Sequence, residues 1–159
     1  PLPPGCDLHL IGHLQTNKAR PAVGLFDVIE SIDRQSLISA LEKEAARIEK
    51  RMPVLLQVNI AGEEQKAGCT PREAHELLAA LTASAWLEPQ GFMTMAPLVA
   101  DPEEVRPVFR GLRELRDRLQ EQFVDVPLPV LSMGMSNDYP IAIAEGATLV
   151  RVGRAIFGG

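Results

Sequence analysis

An α/β fold of parallel strands joined by crossover helices is what this sequence predicts, on three observations. Six short apolar runs recur along the 159 residues, helical patterns separate most of them, and Gly, Pro or polar residues bound each run. This alternation admits a doubly wound open sheet or a (β/α)8 barrel. A barrel takes about 250 residues for eight units, about 31 each, so a chain of this length holds about five. Six runs therefore fit either a complete six-stranded open sheet or a barrel short of its first two units. Periodicity does not choose between them.

The elements follow in order. Residues 1–5 (Pro-Leu-Pro-Pro-Gly) read as a connection entering the first strand at 8–11. Residues 14–23 predict a short helix broken at Pro21. The second strand is expected at 26–29. Residues 34–51 place Leu37, Leu41, Ala45 and Ile48 on one helical stripe. After a third strand at 54–60, Thr70-Pro71-Arg72-Glu73 combines an N-cap, a Pro at the first helical position and a Glu able to close a capping box. Leu77, Leu78 and Leu81 form that helix's apolar face. A fourth strand spans 91–95. Asp101-Pro102-Glu103-Glu104 repeats the start signal and opens the longest helix, with Val105, Phe109, Leu112, Leu115 and Leu119 inward. A fifth strand at 130–133, a short helix from 138 to 145 stopped by Gly146, and a sixth strand at 148–152 complete the series.

Composition narrows the function. Sixteen Lys and Arg against 21 Asp and Glu leave a net charge of −5, with 46% hydrophobic and 23% charged residues, as in an ordinary single domain. The acidic balance argues against general attraction to nucleic acid or anionic membrane. Five Phe, one Trp and one Tyr are too few for an aromatic base-stacking surface. Arg110, Arg113, Arg116 and Arg118 alternate with Glu114 and Asp117, the pattern of a solvated helix face. No apolar run reaches the roughly 18 residues of a membrane span, and no basic start leads into an apolar stretch. Cys6 and Cys69 form neither a disulfide framework nor a zinc motif, so a reducing compartment is expected.

Chemistry concentrates where strands end. Residues 131–138 (Leu-Ser-Met-Gly-Met-Ser-Asn-Asp) and 151–158 (Arg-Val-Gly-Arg-Ala-Ile-Phe-Gly) each run from a strand into small and hydroxyl residues. Backbone amides at 134–136 and at Gly153 and Arg154, with the Ser136 hydroxyl, suit an anion. The alternative is that both are tight turns needing Gly. Gln57 and Asn59 are polar positions on an otherwise buried strand; they either line a pocket or hold a core network. Lys66 follows in a polar loop, where a solvated surface lysine is the favoured reading. His13 ends the first strand without an identified partner, which favours a structural role. Met93 and Met95 read as core or pocket wall.

Taken together, Ile11-Gly12-His13-Leu14-Gln15-Thr16-Asn17-Lys18, residues 57–60, residues 91–95, residues 131–138 and residues 151–158 resemble the pyridoxal 5′-phosphate homeostasis protein family, also called the proline-synthase co-transcribed family. The resemblance runs from about Leu8 to Gly158. It implies a single-domain fold-type III barrel over 1–159, similar to the N-terminal domain of alanine racemase and lacking its first two βα units. It implies binding of pyridoxal 5′-phosphate (PLP) and a cytoplasmic role in vitamin B6 and amino-acid homeostasis without robust catalysis. The alternative is a PLP-dependent amino-acid racemase, which needs two acid/base groups on opposite ring faces; Tyr139 is the only tyrosine. A monomer or weak homodimer is implied, with no nucleic-acid or membrane partner and no metal.

Carried over, Ser136 and the amides of Gly153 and Arg154 would hold the phosphate. Arg151 would face the pyridine nitrogen, Asn59 and Met95 would line the ring pocket, and Ser132 and Gly134 belong to the same site. Position 154 is often Thr in the family, so Arg154 keeps the amide and lacks a hydroxyl. The family's Schiff-base lysine lies on the first barrel strand. Lys18, Lys43, Lys50 and Lys66 match no such position, so that lysine is expected outside this chain and PLP is expected to be held weakly.

Overall fold

The computed structural model describes residues 3–63 and 65–158; Pro1 and Leu2 of the opening connection, Glu64 of the loop before Lys66, and Gly159 lie outside the described residues. Six parallel strands form one sheet: β1 His9–Leu10, β2 Val28–Ile32, β3 Met52–Gln57, β4 Leu87–Met93, β5 Val130–Met135 and β6 Leu149–Arg151. Their order in the sheet is their order in the chain. A doubly wound sheet reverses its order at a switch point. This sheet has no reversal, so of the two architectures open to the sequence it takes the barrel's.

The sheet is curved as well as sequential. Strands β2 and β5 are three intervals apart, about 14 Å in a flat sheet. Yet Glu30 on β2 and Ser132 on β5 meet at 2.5 Å. Only a sheet rolled into a half-barrel brings those side chains together.

Six helices follow the strands: α1 Ala19–Leu25, α2 Gln35–Arg47, α3 Ala74–Thr82, α4 Arg106–Gln122, α5 Tyr139–Ala144 and α6 Arg154–Phe157. Alternation along the strands sorts the residues. Met52, Val54 and Leu56 of β3 join the core beneath the helices. Pro53 and Leu55 instead line the concave face with Val28, Val130 and Leu149. The stripe of α4 is buried as its spacing requires: Phe109, Leu112, Leu115 and Leu119 are at most 4% exposed. Each such side chain contributes about 1.5–3 kcal/mol of burial. Among the described residues, no helix is long and apolar enough to cross a membrane.

Several boundaries differ from the sequence expectation for local reasons. Pro21 does not break its helix. A 3-10 turn at Thr16–Lys18 feeds directly into α1, placing Pro21 in the first turn, where a missing N–H costs nothing. Strand β2 runs on through Glu30 to Ile32, past the expected stop at 29. Helix α2 ends at Arg47, and Glu49 takes a positive φ of 54° as the Lys50 ammonium binds the Val23 and Phe26 carbonyls. Thr70 and Glu73 form the reciprocal capping box: Thr70 N–H and Oγ1–H donate to Glu73 Oε2, both at 2.8 Å, and Glu73 N–H donates to Thr70 Oγ1 at 3.3 Å. The Asp101 side chain caps the turn before α4.

The arginine-rich face of α4 is not merely solvated, and here the sequence expectation is corrected. Arg106, Arg110 and Arg113 converge on Glu145, which follows α5 and is 4% exposed, at 3.0, 3.2 and 3.3 Å. These three cations clamp α5 to α4 and hold the Glu145 carboxyl below its usual range.

Two predictions follow from this architecture. A Cβ on Gly91 (φ +147°) would sit 1.9 Å from the Val130 carbonyl oxygen of the neighbouring strand, which cannot yield as a side chain would. Gly91→Ala should therefore cost about 3 kcal/mol in urea unfolding. Because the folded pKa of Glu145 is depressed, its stabilisation is full above the ordinary Glu value of about 4.3 and is lost as pH falls toward the folded value. The stability gap between wild type and Glu145→Gln should shrink as pH drops below about 4, measured by unfolding at several pH values.

Candidate functional site

The expected site residues gather at the carboxyl ends of the last four strands. Asn59 follows β3, and Met95 follows β4. Ser132 and Gly134 lie on β5, and Ser136 follows it. Arg151 closes β6, and Gly153 and Arg154 open α6. This is the end of a parallel barrel where loops build ligand sites.

Arg151 is the centre of the inner part. Its Nη1 donates to Ser132 Oγ at 2.7 Å and its Nη2 to the Thr94 carbonyl at 2.8 Å. Among the described residues, its buried Nε has no hydrogen-bond partner. Burial pulls the guanidinium below its ordinary range, and the charges of Glu30 and Asp138 partly restore it. Glu30 is 1% exposed; it accepts from Ser132 at 2.5 Å and pairs with His9 Nδ1 at 2.7 Å. One polar chain thus crosses the concave face from β1 to β6.

The outer part joins two loops. Ala155 N–H donates to Ser136 Oγ at 3.4 Å, and Arg154 Nη2 to Asn137 Oδ1 at 3.3 Å. Beside them lies a hollow of about 210 Å³ bordered by Ala96, Pro97, Met135, Asp138 and Arg154. A Cβ built on Gly153 meets no atom within 4 Å, so the space over this backbone is open.

Other expected residues have different employment. Asn59 pins its own loop: Oδ1 accepts from Gly62 N–H at 3.0 Å and Nδ2 donates to the Glu63 carbonyl at 2.8 Å. Gly134 (φ +93°) makes room for α5, since its Cβ would fall 2.6 Å from that of Ala142. Met95 is exposed, and Lys66 pairs with Glu63 at 2.8 Å. His13 lies 3.7 Å from Asp33 and is largely exposed. Gln57 binds the Ala67 carbonyl through Nε2 while its Oε1 is buried without a partner. The Cys69 thiol is pushed up to about 12, chiefly by burial, and is inert; both cysteines are free.

Glu30 and His9 were not anticipated. The available signal was a carboxylate inside an apolar strand pattern, Val28-Ile29-Glu30-Ser31-Ile32, where a buried charge demands partners.

A parallel half-barrel with a buried arginine at its carboxyl end belongs to a class, the alanine racemase N-terminal domain, whose family model matches residues 4–159. Curated relatives specify further: pyridoxal phosphate homeostasis proteins of Aquifex aeolicus (45% identical over 94% of this chain and 65% of its own length), Vibrio alginolyticus (38%, over 94% and 64%) and Synechocystis (39%, over 94% and 68%). The chain belongs to the pyridoxal phosphate homeostasis protein family. It spans about 65% of the length of the Aquifex relative. Among solved structures, PipY of Synechococcus elongatus, with PLP bound, superposes with a TM-score of 0.89 at 38% identity, over 98% of this chain and 72% of PipY. An alanine racemase of Clostridium difficile (TM-score 0.73, 13% identical, over 91% and 39%) shares the fold.

The loop carried by Asn59 is open to test. Asn59→Ala removes two hydrogen bonds and should cost about 1–2 kcal/mol while accelerating hydrogen exchange at the Gly62 amide. Unchanged exchange there would show that the loop holds without it.

Proposed function

We propose that this chain binds PLP and serves in intracellular PLP and amino-acid homeostasis as a carrier rather than a catalyst. The observation that supports it most is the buried, unpartnered Arg151 Nε at the same sheet end as the open backbone of Gly153. These residues fit the cofactor. Ser136 and the amides of Gly153 and Arg154 would take the phosphate, and Arg151 would face the ring nitrogen. Ser132 and Gly134 would serve behind them, as support for Arg151 and as room for the packing of α5. Asn59 would act through its loop and Met95 as a wall. PLP supplies an electron-withdrawing ring when bound. A fixed cation opposite its nitrogen disfavours protonation there and weakens that withdrawal, which suits storage and delivery better than transamination.

In this reading the six strands are the last six of an eight-stranded barrel forming one domain over 1–159. The protein works in the cytoplasm as a monomer or weak homodimer. Its ligand is a small phosphorylated ring, not nucleic acid or membrane.

The phosphate arm is tested with Gly153→Val. A Cβ there meets no protein atom within 4 Å, so stability should hold. Affinity for pyridoxine 5′-phosphate, by calorimetric titration, should fall on the order of tenfold or more, the worth of one or two charge-assisted hydrogen bonds. Unchanged affinity would remove Gly153 from the site.

A further inference from the structure

Resting on that reading, we propose that Glu30 is the positioning residue for Arg151, and that through Ser132 it makes the site selective for a ring carrying an acceptor nitrogen. Arg151 has only donors. Its Nη1 therefore donates to Ser132 Oγ at 2.7 Å, and that hydroxyl must send its own proton elsewhere. Glu30 Oε2, at 2.5 Å, receives it. The direction of every bond in the chain is set: Arg151 to Ser132, Ser132 to Glu30. His9 Nδ1 closes the far end on Oε1 at 2.7 Å.

Geometry explains why a carboxylate is needed. Glu30 is 1% exposed, and among the described residues the side chains that bond its carboxyl are His9 and Ser132. A buried carboxylate without compensation is costly, and so is a buried guanidinium. Ser132 joins the two at one remove, from strands on opposite sides of the concave face. With Nη1 held by Ser132 and Nη2 by the Thr94 carbonyl, rotation of the guanidinium is blocked. Three N–H donors remain, and among the described residues the buried Nε is the guanidinium nitrogen with no partner at all. The fork is thus fixed with its Nε–H uncommitted, which leaves that donor for a single acceptor atom.

The test uses the full 159-residue chain and two probes, pyridoxine 5′-phosphate and its 1-deaza analogue, in which C–H replaces the ring nitrogen. Neither carries the aldehyde, so lysine chemistry does not enter. Wild type should prefer the nitrogen compound. Glu30→Gln and Ser132→Ala should each weaken its binding on the order of tenfold, the worth of a hydrogen bond to a charged group, and leave the deaza analogue's affinity unchanged. Glu30→Gln added to Arg151→Lys should cost no more than Arg151→Lys alone. Ser132→Ala keeps the buried carboxylate and guards against a Glu30 variant that fails to fold, which circular dichroism would show. Equal loss for both probes, or no loss, would overturn the positioning role while leaving the PLP reading intact. So would a wild type that binds both probes equally. A wild type that binds neither would overturn both.

Discussion

The contact between Glu30 and Ser132 ties the structure together. It joins strands that a flat sheet would hold about 14 Å apart, so it requires the sheet to roll. Rolling turns the carboxyl ends of β3 to β6 toward one another, and the loops that follow them become one site rather than four. It also draws Arg151 under the sheet's curve, where the guanidinium loses water and takes the Thr94 carbonyl and the Ser132 hydroxyl in exchange. The burial that lowers the pKa of Arg151 and the orientation of its fork are two results of one curvature.

The outer part depends on a second set of charges. Arg106, Arg110 and Arg113 meet at Glu145, where α5 ends, and so hold α5 against α4. The strand-to-helix connection carrying Ser136 and Asn137 leads directly into α5. Its position is therefore inherited from ion pairs on the far side of the helix. Gly134 completes the arrangement by admitting α5 close to β5. Residues that touch no candidate ligand thus decide where the Ser136 hydroxyl sits.

Much of this was legible before any coordinates. Strand count, the inward face of α4 and the Thr70–Glu73 box all follow from local patterns. Strand order was not legible in the alternation, which an open sheet and a barrel share; the family resemblance implied the barrel, and pairing across the sheet bears out a half-barrel in chain order. The roles of Asn59 and Gly134 were obscured for a similar reason. A polar residue or a glycine at a strand end satisfies a ligand and a loop equally well on paper. Here Gly62, Glu63 and Ala142 claim those two residues directly. Glu30 escaped because the apolar run was cut one residue too early, and its partner Ser132 lies 102 residues away. The clamp on Glu145 joins residues 32 to 39 apart in the chain, beyond the reach of helical charge rules.

The outermost strands of the sheet are also its shortest, two residues in β1 and three in β6. The longest strands, β3, β4 and β5, have both flanks covered by partners. The most extended backbone of the sheet is thus the backbone whose N–H and C=O groups are already taken, which denies a neighbouring chain a long template in the middle of the sheet, independent of anything the site binds.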